Sequence, residues 1–294
     1  MIDKLALYSY PLFVAISWGA LIVLVKNSRS ASLYGLGMSL NGGVIVLLLP
    51  TIGWVIYTSS TLPLTFNTWV IIGIIGILRY LLGTWFFFLS ITVGDVTVSS
   101  PITGSKVVCV SVLSVLLGLD VINYFLIAAI ILAMVGLYCI TFHIKKVEKL
   151  RKENLVKGII FAVGAMLSWS AADILVKKIH GLQALVLTFG SLAIALLFYY
   201  FIILLFKQRH KLVAMPRADK ARYFVHGILS FGISYLILNL SLMELGIVRT
   251  NIIVCTWPLI ASVIGYFYYN EKVTFMKIIG SVLLVGSVII TVLN

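Results

Sequence analysis

Long apolar stretches separated by short polar ones run along the whole chain. A helix needs about 20 residues to cross the ~30 Å hydrocarbon layer of a membrane, and ten stretches are long enough. The pattern predicts an all-α polytopic membrane protein with ten transmembrane helices and no soluble domain. The expected limits are Tyr8–Val25, Leu33–Tyr57, Thr68–Ile91, Val96–Gly118, Val121–Phe142, Leu155–Val176, Gln183–Phe206, Tyr223–Met243, Asn251–Tyr269 and Val273–Leu293.

The first half of the chain recurs in the second at a shift of 151 positions. Gly76-Ile77-Leu78 returns as Gly227-Ile228-Leu229, and Leu89-Ser90 as Leu240-Ser241. Five helices per unit is an odd number, so the second copy enters the membrane upside down and two inverted five-helix repeats are predicted. Such repeats typically share a substrate site near the midplane and alternate its access by rocking. The expected division is residues 1–143, a basic linker at 144–156, and residues 157–294.

Two cations lie near the middle of predicted helices, Arg79 in the third and Lys106 in the fourth. A cation at that depth costs at least ~2.5–3.5 kcal/mol on insertion scales, so each is expected to face protein or a wet cavity. Arg79 belongs to a stripe of small and polar residues at helical spacing, which recurs without the cation in the eighth helix. Both stripes are predicted to face inward. They are Gly76, Arg79, Tyr80, Gly83, Phe87 and Ser90, and Gly227, Ser230, Phe231, Ser234, Leu238 and Ser241.

Proline and glycine disturb the fourth helix of each half. Pro101 and Gly104 precede Lys106, and Pro258 follows Trp257, the residue that aligns with Lys106. Proline removes a backbone donor and glycine relaxes the helix, so both helices are expected to bend or unwind there. The exposed carbonyls would then need a wet or protein-lined cavity.

Asp173, in the sixth helix, has two interpretations. It lies four residues before Lys177, a favourable order for an ion pair within one helix. Alternatively, it is the counter-ion of Arg79 or Lys106, or a proton carrier. The sequence leaves both open.

Two further pairs recur at the same shift. Trp18 and Trp169 each lie beside small residues. Either the tryptophans anchor their helices at the membrane interface, or the small residues let a neighbouring helix approach closely. Asp120 and Glu271 close the fourth and ninth helices, where each would pair with a loop cation or mark the membrane boundary.

Composition and charge exclude several classes of protein. With 62% hydrophobic and 11% charged residues, the chain is not soluble. The net charge of +13 resides in the loops between helices rather than on an amphipathic face, so no nucleic-acid partner is expected. The three cysteines lie inside predicted helices and imply no disulfide framework. No GxxxxGK[ST] loop and no cluster of acidic residues or histidine occurs, so we expect neither an enzyme nor a cofactor.

Several motifs in this order resemble an EamA-type member of the drug/metabolite transporter superfamily. They are Ser17-Trp18-Gly19, Ser168-Trp169-Ser170, Trp257-Pro258, Asn270-Glu271-Lys272 and the glycines Gly136, Gly280 and Gly286 of the final helices. The resemblance implies a ten-helix secondary transporter, often an exporter of amino acids or other small metabolites, with a cavity lined by the first four helices of each half. The first half departs from the family pattern, with Asp120 for the usual glutamate and Lys106-Val107 opposite Trp257-Pro258.

The distribution of lysine and arginine predicts the orientation in the membrane. Sixteen follow odd-numbered helices, and only Lys4, Lys177, Lys178 and Arg249 lie on the other side. Loops rich in lysine and arginine stay on the cytoplasmic side, so both termini are predicted outside. The expected location is the cell (plasma or inner) membrane. Members of the resembled family more often have both termini inside.

The leading hypothesis is a secondary transporter, and an exporter, of a small anionic or zwitterionic metabolite such as an amino acid. Arg79 would hold a carboxylate or phosphate through its planar fork, Lys106 would add a second charge, and Asp173 would act as coupling or counter-ion. The other candidate substrate-binding residues are Tyr80, Trp18, Trp169, Trp257, Ser230 and Asn239. The expected partners are the substrate, the lipid bilayer and a coupled proton or counter-substrate, in a monomer or homodimer.

Two alternatives remain. The first is transport of a cationic or drug-like compound against an aromatic surface, with Asp173 neutralising both cations. The discriminating observation is whether Asp173 reaches them. The second is a membrane assembly subunit that transports nothing.

Overall fold

The computed structural model describes residues 2–26, 33–58, 65–93, 99, 102–141, 152–179, 183–206, 215–269 and 274–293. Within these residues a helical segment occupies each of the ten predicted stretches, and we number the segments in that order. They are α1 (Ile2–Lys26), α2 (Leu33–Thr58), α3 (Phe66–Val93), α4 (Lys106–Leu116), α5 (Tyr124–Thr141), α6 (Lys152–Lys178), α7 (Ala184–Leu205), α8 (Arg217–Glu244), α9 (Ile247–Val254 and Trp257–Tyr269) and α10 (Phe275–Leu293).

Seven of these segments, counted in the described part of the chain, are long and apolar enough to cross a membrane: α2, α3 and α6 to α10. The apolar segments of the other three are shorter: Ala6–Leu21 in α1, Ile102–Leu116, which includes the turn before α4, and Tyr124–Ile140 in α5. Helices satisfy their own backbone hydrogen bonds, as a bilayer requires. The prediction of an all-α polytopic membrane protein is confirmed, while ten crossings, inverted repeats and the division into two units stay predictions.

The helices α3 and α8 each widen at the centre into a π-helix, at Ile77–Gly83 and Gly227–Ser234. The two π-helical segments overlap at the shift of 151 positions. A π-helix bonds each amide to the carbonyl five residues back, which loosens the regular ladder and is frequent at functional sites. The residues of both predicted stripes are buried, apart from the half-buried Phe87. The stripes therefore face inward, as predicted, although ordinary helical spacing did not indicate the π-helices.

Helices of the two halves pack against each other in matched pairs. In the described residues α1 contacts α8 and α9, and its counterpart α6 contacts α3 and α4. The same reciprocity holds for α2 with α8 and α7 with α3, and α5 packs along α10. Glycine permits the closest approaches, because Gly227 lies against the backbone carbonyl of Ser39 and Gly76 against that of Ser191.

The fourth helix of each half is interrupted. Ser105 separates a short helical turn, residues 102–104, from α4, and Cys255 with Thr256 divides α9 in two. Pro258 lies just after the second interruption, in a first helical turn, where its missing N–H costs no hydrogen bond. Gly104 lies just before the first interruption, and Pro101 is outside the described residues.

The start of α9 differs from the prediction. The helix begins at Ile247, four residues before the predicted start, so Asn251 lies one turn inside it. Gly246 precedes the helix with φ +89°, a conformation that favours glycine. The carboxylate of Asp120, after the end of α4, accepts a hydrogen bond from the Val248 amide (3.1 Å). Asp120 thus binds a helix N-terminus rather than a loop cation, and Glu271 lies outside the described residues.

Candidate functional site

Arg79 and Lys106 share one carboxylate, that of Asp173. Arg79 Nη2 lies 2.7 Å from Asp173 Oδ1, and Lys106 Nζ lies 2.7 Å from Asp173 Oδ2. The side chains of Arg79 and Asp173 are 0% and 1% exposed, and that of Lys106 is 10% exposed. The intrahelical pair of Asp173 with Lys177 is wrong, because Lys177 Nζ donates instead to the Met243 carbonyl (2.9 Å). Asp173 therefore connects α6 to α3 and α4.

Two buried amides extend this cluster. Asn239 Oδ1, in α8, accepts from Arg79 Nη1 (2.7 Å), and its Nδ2 donates to Thr188 Oγ1 in α7 (2.8 Å). Asn251 Nδ2, in α9, donates to Asp173 Oδ2 (3.1 Å). The polar network thus draws one or more side chains from each of α3, α4, α6, α7, α8 and α9.

Aromatic rings cover one side of Arg79. The Tyr235 ring has its centroid 5.1 Å from the guanidinium carbon, within the range of a cation–π contact. Tyr80 and Trp18 each meet the Tyr235 ring edge-on, with centroids 4.9 and 5.1 Å away. Phe231 lies beside Tyr80, with centroids 5.4 Å apart. We call Trp18, Tyr80, Phe231 and Tyr235 the aromatic cluster.

Trp169 binds the π-helix of α3 directly. Its Nε1 donates to the Arg79 carbonyl (3.0 Å), which also accepts from Thr84 Oγ1 (3.2 Å). Its ring lies against Phe87, with centroids 5.5 Å apart. Both tryptophans of the repeated pair therefore contact interior side chains, which favours the structural interpretation over interfacial anchoring.

Ser230 and Trp257 lie apart from the charged cluster. Ser230 is buried in the π-helix of α8, and the carbonyl of Trp257 lies against Gly19 of α1. In the described ranges neither side chain has a hydrogen bond or ring contact with Arg79, Lys106 or Asp173. Of the predicted binding residues, the structure brings together Arg79, Lys106, Asp173, Asn239, Tyr80, Trp18 and Trp169.

The cluster retains one net positive charge, because two cations face a single carboxylate. The two cations differ in their free donors. Both terminal nitrogens of Arg79 have partners, and its Nε is the nitrogen without one among the described residues. An ammonium has three donors, and the only hydrogen bond of Lys106 Nζ in the described part of the chain is with Asp173. Chemically, the arrangement suits one further anionic group.

Three members of this network were not predicted from the sequence: Asn251, Thr188 and Tyr235. Each is a polar side chain within an apolar stretch, which is the available signal. Asn251 is the first residue of the predicted ninth helix, and a polar residue is common at a helix end. Threonine and tyrosine are common in membrane helices, so Thr188 and Tyr235 did not stand out as site residues.

Comparisons with known proteins bear on the second half of the chain in sequence and on the whole chain in fold. Residues 156–293 match the EamA-like transporter family. A solved crystal structure that is 14% identical superposes with a TM-score of 0.75, covering 97% of this chain and 98% of its own, which shows a shared fold. No curated protein matches the chain in sequence. The match over residues 156–293 supports the assignment to the EamA-type drug/metabolite transporters that the motifs indicate.

Proposed function

We propose that this protein is a secondary transporter of a small anionic or zwitterionic metabolite, such as an amino acid, and that it acts as an exporter. Arg79, Lys106 and Asp173 form the centre of its substrate site. The observation that carries the proposal is the net positive charge of a buried cluster in which two cations share one carboxylate. A charge at this depth is costly without a partner, and the anionic group of a substrate supplies one.

The two cations have different roles in this proposal. Arg79 is fully buried and bonded to Asp173 and Asn239, so it positions the carboxylate of Asp173. Lys106 is the more exposed of the two, with a side chain 10% exposed, and its ammonium has donors without a partner among the described residues, so it receives the substrate anion. The substrate competes with Asp173 for the lysine ammonium, which makes this ion pair the exchangeable one.

The arrangement of the helices supports alternating access. Reciprocal packing between the halves, π-helices at equivalent places and an interruption in the fourth helix of each half suit two inverted repeats that rock about a central site. The cluster joins helices of both halves, so rocking would alter its geometry. A substrate that replaces the Lys106–Asp173 contact would bias the equilibrium between the two orientations.

The second candidate is transport of a cationic or drug-like compound. The aromatic cluster favours it, and so does the reach of Asp173 to both cations. However, the guanidinium of Arg79 already lies over the Tyr235 ring, and one carboxylate balances only one of the two cations. The remaining positive charge would repel a cationic ligand, so the anionic or zwitterionic substrate is the better match.

Thermal stabilisation of the detergent-purified protein tests this proposal. The ligands are amino acids, organic acids, phosphorylated metabolites and quaternary amines, since a ligand that binds the native state raises its apparent stability. We expect stabilisation by anions or amino acids that Lys106→Gln abolishes and Arg79→Gln weakens. Lys178→Gln is the matched control, because Lys178 is exposed at the end of α6. Stabilisation by amines alone, unchanged in both variants, would overturn the proposal.

A further inference from the structure

Asn251 has a buried acceptor without a donor. Its Nδ2 donates to Asp173 Oδ2 (3.1 Å) and to the Ile247 carbonyl (3.0 Å). Both partners are acceptors, so the nitrogen must face them and the orientation of the amide is fixed. The Oδ1 atom then has no hydrogen-bond partner among the described residues, although the side chain is only 1% exposed.

Asn239 provides the contrast. It also lies beside the ion cluster, but its Oδ1 accepts from Arg79 and its Nδ2 donates to Thr188. Buried polar atoms are satisfied in the great majority of cases, and an exception requires an explanation. One of the two amides at this cluster is complete, and the other leaves its acceptor open.

The open acceptor adjoins the proposed anion-binding group. Lys106 Nζ and Asn251 Nδ2 both contact the same atom, Asp173 Oδ2, at 2.7 and 3.1 Å. A donor for an anionic group and an acceptor for a hydrogen-bond donor therefore lie side by side. A carboxylic acid with an ammonium or hydroxyl group on its α-carbon presents the complementary pair on neighbouring atoms.

We propose that Asn251 is a specificity-determining residue, whose Oδ1 accepts a hydrogen bond from an N–H or O–H group that the substrate carries next to its anionic group. This inference rests on the proposed function and refines it. An anion that lacks the neighbouring donor leaves Oδ1 unpaired after binding and is bound more weakly.

Two matched ligand series test the role of Asn251. The first is L-alanine, L-lactate and propanoate, and the second is L-phenylalanine, L-3-phenyllactate and 3-phenylpropanoate. Within each series only the group on the α-carbon changes. For the wild type we expect the amino and hydroxy acids of a series to bind about 10- to 100-fold more tightly than the unsubstituted acid, measured as apparent Kd by thermal stabilisation.

Two variants separate selectivity from general damage. In Asn251→Leu the three acids of a series should have equal apparent Kd values. In Asn239→Leu binding should weaken throughout, but the preference within each series should remain. The wild-type comparison needs neither variant to fold.

The outcomes distinguish this inference from the function on which it rests. Equal binding of all three acids in the wild type overturns the role of Asn251 and leaves the anion site intact. A preference that survives in Asn251→Leu also overturns it. If the wild type binds none of the six compounds, the inference is overturned, and the wider panel of organic acids and phosphorylated metabolites decides whether the anion site stands.

Discussion

Arg79, Lys106 and Asp173 form a unit whose charges do not cancel. A single carboxylate bridges two cations through its separate oxygens, and amide groups of Asn239 and Asn251 complete the contacts. Such a bridge makes the carboxylate more important for stability than either cation, because its loss leaves two buried positive charges facing each other.

Asp173→Asn should therefore destabilise the protein by about 3–5 kcal/mol. The double variant Lys106→Gln with Asp173→Asn restores the wild-type net charge and should recover most of that loss. Apparent melting temperatures of the two single variants and the double variant measure the effect in detergent. Simple additivity of the two single changes would show that the residues do not act as a unit.

Trp169 and Trp18 allow a second test at this scale, since they are equivalent in the repeat but differ in contacts. Trp169→Phe removes one of the two donors to the Arg79 carbonyl and should cost about 0.5–1.5 kcal/mol. Trp18→Phe should cost less, because Trp18 Nε1 has no partner in the described residues. Thermal unfolding of both variants measures the two losses of stability, and equal losses would contradict the role of the Trp169 hydrogen bond.

The two cations are predictable from the sequence, whereas their carboxylate partner is one of two open alternatives there. The position of Arg79 and Lys106 within apolar stretches is enough to predict that both face inward, and both are buried. Which cation Asp173 binds depends on how α6 packs against α3 and α4, and spacing along one helix equally favoured Lys177. The acceptor of Asn251 is beyond sequence reasoning, because its orientation follows from two tertiary neighbours.

At the scale of single elements, the helices that form the cluster are irregular where they meet. The π-helices of α3 and α8 and the interruptions of α4 and α9 lie at equivalent positions of the two halves. Proline and glycine indicated the interruptions in advance. The π-helices had no such signal, because an inserted residue changes the winding of a helix without leaving a characteristic residue type.

Glycines lie where helices of the two halves approach each other most closely. Gly227→Ala directs a methyl group at the backbone carbonyl of Ser39, which cannot move as a side chain would, and should destabilise by about 1–3 kcal/mol. Gly53→Ala is the control, because nothing lies near that position, and should cost no stability, since alanine is the better helix former. Melting temperatures test this, and equal tolerance would mean that α2 and α8 are not closely packed.

The molecule as a whole joins its halves through α1 with α8 and α9, and α6 with α3 and α4. Apolar lengths are enough to predict the helical stretches, because the thickness of the bilayer fixes the length of a crossing helix. The orientation in the membrane depends instead on loop charge. The charge count predicts both termini outside, whereas members of the resembled family more often have both termini inside.

Labelling of single cysteines in a cysteine-free background tests the orientation. With ten crossings, Lys4→Cys should react with a membrane-impermeant maleimide added outside intact cells, and Lys149→Cys should react only after permeabilisation. The reason is the excess of lysine and arginine after odd-numbered helices. The reverse pattern would place both termini inside, and reaction of both sites from outside would exclude an odd number of crossings between them.

The most direct test of the central claim is counterflow uptake in proteoliposomes, with the ligand that stabilises the protein best and the variants Lys106→Gln and Lys178→Gln. We predict saturable exchange of an anionic or zwitterionic compound, preserved in Lys178→Gln and at least about tenfold weaker in Lys106→Gln, because the charged contact to the substrate is lost. Uptake by Lys106→Gln at the wild-type rate, or exchange of cationic compounds alone, would contradict a substrate site at the shared carboxylate.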